Sequence, residues 1–84
     1  MNYRPIVDYN PARGMIIVSL EDGSHAVFTL RSHAVIKVGI GVQGPVSARG
    51  LQSLIPDTRQ LFDAFGETGP TTLEACQRML WADA

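Results

Sequence analysis

The segment "MIIVSLEDGSHAVFTL", Met15 to Leu30, constrains the chain most. Asp-Gly at its centre suits the two positive-φ positions of a tight hairpin turn, so Met15–Leu20 and His25–Leu30 read as antiparallel partners. With Asp22-Gly23 as a two-residue loop, Leu20 faces His25, Val18 faces Val27 and Ile16 faces Thr29. Met15, Ile17, Ala26, Phe28 and Leu30 then occupy the opposite side. Both faces are largely apolar, whereas a sheet with one wet face alternates apolar and polar residues. The hairpin is therefore expected to be covered twice, with helices on one side and either loops and the N-terminus or a partner chain on the other.

The flanking sequence supplies more strands and then changes character. Ile6–Tyr9 reads as a short strand with Pro5 at its start suiting an edge, and Asn10-Pro11-Ala12-Arg13-Gly14 as a turn. Ala34–Val42 reads as a further strand loosened by glycine. After Pro45 the spacing becomes helical. Ser47–Ile55 is expected to form a short helical turn. Asp57 with Gln60 resembles a cap, and Thr58, Leu61, Phe62 and Phe65 share one helical face ending at Gly66. Thr71-Thr72-Leu73-Glu74 is a capping-box pattern opening a second helix to about Ala82, with Leu73, Cys76, Met79 and Leu80 as its buried stripe and Glu74–Arg78 as an i,i+4 pair. The expected fold is α+β in one small domain over 1–84, strand-rich over 1–45 and helical over 46–84. It would be an antiparallel meander of three to four strands followed by two short C-terminal helices packed on one face.

At 84 residues there is room for one core, and 45% hydrophobic against 18% charged residues places the chain among folded rather than disordered proteins. One cysteine, Cys76, excludes an internal disulfide and fits a reducing compartment. The N-terminus lacks an apolar stretch behind its charge, and no apolar run reaches spanning length, so the reading is of a cytoplasmic protein with no membrane association.

Gly39-Ile40-Gly41-Val42-Gln43-Gly44 spells G-x-G-x-x-G after an apolar run. A dinucleotide site needs a helix to begin there and receive the pyrophosphate, followed by a further parallel strand. Pro45 and Gly50 make a poor helix, and no P-loop lysine follows, so no cofactor is expected. The motif reads instead as a strand with a bulge or close crossing before a turn. His25, His33 and Cys76 are too few and too scattered for a metal site. Cys76 falls on the buried stripe, where a thiol acts as a small hydrophobe and not as an activated nucleophile. Asp57 and Asp63, six apart, do not share a helix face.

The net charge of -1 gives no global attraction to nucleic acid. Its distribution is uneven: no acid lies between Asp22 and Asp57, where Arg31, Lys37, Arg49, His25 and His33 fall. Arg31, His33, Lys37 and Arg49 are thus the candidates for an anionic partner. A helix-turn-helix alignment on Gly66 fails, because it puts Phe62 at a small position, Glu67 at an apolar one and only Arg78 on the recognition helix. The sequence favours a non-catalytic interaction protein. It would act as a homodimer, or as a regulator or inhibitor of a larger intracellular complex, in the manner of phage, plasmid or toxin-antitoxin accessory proteins. Ile16, Val18, Leu20, Val27 and Trp81 are its candidate protein interface. A nucleic-acid-binding or transcription-regulating domain using the acid-free middle is the alternative, and a small enzyme or ligand carrier with its site at the glycine strand is the third.

Overall fold

The computed structural model describes residues 3–32 and 36–82. It is a closed antiparallel barrel of six strands with one short C-terminal helix, mostly β and not a meander backed by two helices. The strands are β1 (Arg4–Asn10), β2 (Met15–Ser19), β3 (His25–Leu30), β4 (Gly41–Gln43), β5 (Gly50–Pro56) and β6 (Phe62–Gly66); the helix is α1 (Leu73–Trp81). Around the barrel the order is β1-β2-β3-β6-β5-β4, closing back on β1. Two three-stranded meanders thus meet along two seams, β3 with β6 and β4 with β1.

The central hairpin forms, but its register differs by one from the expectation. Leu20 lies opposite Ser24: Leu20 N–H donates to the Ser24 carbonyl, and Gly23 N–H to the Leu20 carbonyl. The loop therefore has three residues, Glu21-Asp22-Gly23, with Gly23 at φ 87° as the left-handed residue such a loop requires. Asp22 Oδ1 accepts from Ser24 N–H and Oγ–H, which fixes the turn. One residue of slip flips β3 relative to β2. Ile16 now pairs with Phe28, Ile17 with Val27 and Val18 with Ala26.

Both hairpin faces are covered from within the chain. Ile16, Val18, Leu20, Ala26 and Phe28 point into the barrel with Ile6, Val42, Leu54, Phe62 and Ala64. Ile17 and Val27 point outward and are sealed by Cys76 and Leu80 of α1, with Met15 and Met79 at the margin. Thr72 caps α1, its Oγ1 accepting from Ala75 N–H at 3.2 Å, one residue later than the capping-box reading. Thr71 instead exchanges both backbone hydrogen bonds with His25. Cys76 and Leu80 are buried as expected and Met79 partly so, while Leu73 is exposed. The Glu74–Arg78 ion pair forms on the outer surface. At the other end of α1, buried Asn10 donates from Nδ2 to the Leu80 carbonyl at 2.7 Å, and Arg13 reaches the Met79 and Ala82 carbonyls. These side chains satisfy carbonyls that have no partner within the helix.

The segments read as helical, Ser47–Ile55 and Asp57–Gly66, are strands in their main part. In β6, Phe62, Ala64 and Gly66 are buried and Asp63 and Phe65 exposed, the period-2 pattern of a strand. Gly66 explains why the chain can pass here. A Cβ on it would lie 2.4 Å from the Ala48 carbonyl oxygen, so only glycine permits the approach. Asp57, read as a helix cap, closes β4 instead: its N–H donates to the Gly41 carbonyl and its Oδ2 accepts from Gly41 N–H. Arg59 takes φ 68° in the turn that leads to β6.

Of Ala34–Val42, only Gly41 and Val42 fall in a strand, and 34–35 lie outside the described residues. β3 and β4 sit across the barrel from one another; ahead of β4, Ile36 lies in the core, Gly39 N–H donates to the Ile6 carbonyl and the Ile40 carbonyl accepts from Ile6 N–H. Val46, in the β4–β5 loop, also packs against that core. Pro5 is not at an edge; it pairs with Gly41 in the β1–β4 seam.

Candidate functional site

A closed barrel offers no free strand edge, so function falls to its faces, mouths and loops. α1 covers the outer side of β2 and β3 and touches β1. The outer side of β5 and β6 carries no such cover. Leu51 and Phe65 are cross-strand neighbours there, 66% and 39% exposed, and Ile55 lies further along β5 on the same face. Ser53 and Asp63 form the adjacent pair, with Ser53 Oγ donating to Asp63 Oδ1 at 3.1 Å. Beyond Phe65, on β3, Thr29 Oγ1 donates to Glu67 Oε2. The result is an apolar pair with fixed polar groups on its flanks. Sequence reasoning missed it because Leu51, Ile55 and Phe65 were placed on helices; the alternation Phe62-Asp63-Ala64-Phe65 was the signal.

The sequence-derived interface residues divide sharply. Ile16, Val18, Leu20 and Val27 are buried within the single chain, the first three in the barrel and Val27 under α1. They belong to the core and not to a surface. Trp81 alone is on the surface, 53% exposed, with its Nε1–H donated to Asp8 Oδ2 at 2.8 Å. The anionic-partner candidates are dispersed. Arg31 is exposed beside Asp63, whose carbonyl accepts its N–H. Arg49 lies four strand positions away, past the Gly50–Gly66 pair, and Lys37 lies ahead of β4 with its carbonyl accepting from Ile40 N–H. His33 lies outside the described residues.

A second feature is a cleft of about 370 Å³ at the barrel end where the β2–β3 and β4–β5 loops lie. Val42 and Gly44 of the glycine motif line it, together with Leu20 of the hairpin and Arg4 of β1. No helix follows Gly44; the chain turns through Pro45 into β5, which removes the helix terminus that a pyrophosphate would need.

Among the described residues no group of three or more His, Cys, Asp or Glu side chains is arranged to hold a metal ion. Burial pushes the Cys76 thiol above its ordinary value, against activation as a nucleophile. His25 Nδ1 is buried with no hydrogen-bond partner among the described residues. Ser24 Oγ–H and N–H hold the Asp22 carboxyl below the usual carboxylate range. Among the described residues no helix is long and apolar enough to cross a membrane. No protein-family model, curated protein or solved structure matches the chain.

Proposed function

We propose that the chain is a non-catalytic, cytoplasmic interaction module that docks on protein through the outer face of β5 and β6. The exposed Leu51–Phe65 pair carries this reading. It sits on rigid paired strands rather than on loops, and aromatic and aliphatic anchors on such a face are what a protein interface buries at its centre. The occupant is a second copy of the chain or a larger complex that the chain regulates or inhibits. A closed barrel with every strand paired has no edge to donate, so side chains and not added β-strands make the contact.

Sedimentation velocity over a dilution series, with Leu51→Glu and Phe65→Ser beside the unaltered chain, tests self-association. Loss of a dimer in both variants, with far-UV spectra and melting unchanged, supports the face as the homodimer contact. A photocrosslinking side chain at Leu51, with one at Lys37 as control, tests a foreign partner in cells. A monomer that gives no adduct at Leu51 beyond that at Lys37 overturns the reading.

A further inference from the structure

The outer face of β5 and β6 is ordered in rows across the two strands. Leu51 and Phe65 form one row, and Ser53 and Asp63 the next. One step further along the same register Leu61 comes opposite Ile55, and both are exposed, 57% and 38%. Leu54, Phe62 and Ala64, which alternate with these residues, point into the barrel. An apolar row thus lies on each side of one polar row, with about 6.8 Å between successive rows. The middle row carries the charge. Ser53 Oγ–H is donated to Asp63 Oδ1, which leaves Asp63 Oδ2 with no hydrogen-bond partner among the described residues. Arg31, exposed just past β3, forms no ion pair with this carboxylate.

This pattern discriminates between occupants. Two copies of the face joined about a twofold axis would bring their central rows together, and with them two Asp63 carboxylates, a juxtaposition of like charge. A cation on a foreign surface meets the same carboxylate favourably, while apolar side chains on either side of it cover the two apolar rows. A helix supplies that spacing: residues i, i+4 and i+8 form one surface ridge with steps of about 6 Å, close to the separation of the rows. The barrel already holds one helix on its outer surface, α1, through Cys76 and Leu80 against Ile17 and Val27.

On the reading of β5–β6 as the docking face, we infer that its occupant is an amphipathic helix of a foreign protein with a ridge that runs apolar, basic, apolar. The basic side chain, arginine or lysine, meets Asp63, and the apolar ones meet the Leu51–Phe65 and Ile55–Leu61 rows. One short helix on a shallow face binds in the high-micromolar to millimolar range.

The test is an amide NMR titration of the unaltered chain with lactam-bridged helical peptides that carry leucine at i and i+8 and differ only at i+4, as arginine, glutamine or glutamate. The arginine peptide should shift the amides of Leu51, Ser53, Ile55, Asp63 and Phe65 saturably and bind about tenfold tighter than the glutamine peptide, with the glutamate peptide weaker still. Asp63→Asn keeps an oxygen for Ser53 Oγ–H and should bring the arginine and glutamine peptides to equal affinity. No shift of these amides with the arginine peptide at millimolar concentration overturns the inference, and so does a glutamate peptide that binds the unaltered chain as tightly. A dimer of the unaltered chain that is lost in Leu51→Glu overturns it too, because the occupant is then a second copy. The photocrosslinker at Leu51 separates the two failures: an adduct with a foreign protein leaves the docking face standing when the peptides show no charge preference, and a monomer with no adduct removes both.

Discussion

Truncating Leu80 to alanine should destabilise the fold by about 3 kcal/mol, and the figure follows from what the side chain covers. Leu80 is wholly buried in the small outer core of Ile17, Val27 and Cys76. Buried Leu→Ala substitutions cost about 2–5 kcal/mol, the spread reflecting how far the site collapses. The flexible side chains of Met15 and Met79 border this core and can fill part of the space, which favours the lower half of the range. For a chain of 84 residues the whole folding free energy is about 4–13 kcal/mol, so the loss is a large fraction of it. With a urea m-value of about 1 kcal/mol/M the midpoint should fall by about 3 M, and the melting temperature by about 12–24 °C. Equilibrium urea unfolding followed by far-UV circular dichroism checks this, with exposed Leu51→Ala as the control expected to change stability by under about 0.5 kcal/mol. Equal midpoints for Leu80→Ala and the unaltered chain would refute the docking of α1 and, with it, the covering of the outer hairpin face.

Three further outcomes follow from local geometry. Gly66→Ala forces a methyl group against the Ala48 carbonyl oxygen and should cost about 2–3 kcal/mol in urea unfolding, since backbone and not a flexible side chain blocks it. Asn10→Ala removes the Nδ2 bond to the Leu80 carbonyl and should lower stability by about 1–3 kcal/mol, with faster hydrogen exchange at the end of α1. The Cys76 thiol is raised in the folded state, so at alkaline pH the unfolded chain loses this proton first. Stability should therefore hold below the ordinary thiol pKa of about 8.5 and decline as pH rises above it. Cys76→Ala should flatten that alkaline decline, and the native thiol should resist thiol reagents at neutral pH.

The central hairpin and the apolar character of both its faces were legible because Asp-Gly and the β-branched runs act locally. The covering of the second face was not, since it depends on where α1 and the distant strands β4, β5 and β6 arrive. The one-residue slip has a similar cause: Asp-Gly serves a two-residue loop or the last two positions of a three-residue one, and only pairing decides. β6 reads as a helix because Thr58, Leu61, Phe62 and Phe65 keep helical spacing and Asp57-Gln60 imitates a cap, and β5 reads as a short helical turn before Pro56. What outweighed that local pattern is non-local: Phe62 and Ala64 fill the barrel, and β6 pairs with β3 more than thirty residues away. Losing β5 and β6 also hid the Leu51–Phe65 face.

The two meanders meet along the β1–β4 and β3–β6 seams, and the chain passes from the first to the second between β3 and β4. Nothing in either seam requires both halves to come from one polypeptide. Were the chain after β3 to continue into a neighbouring molecule, β1–β3 of one molecule would close on β4–β6 of another through the same seam pairs. Such an exchanged pair would differ from the closed single chain chiefly in the entropy of linkage. It would be insensitive to Leu51→Glu, slow to dissociate and promoted by high concentration during refolding, signatures that separate it from a dimer built on the outer face.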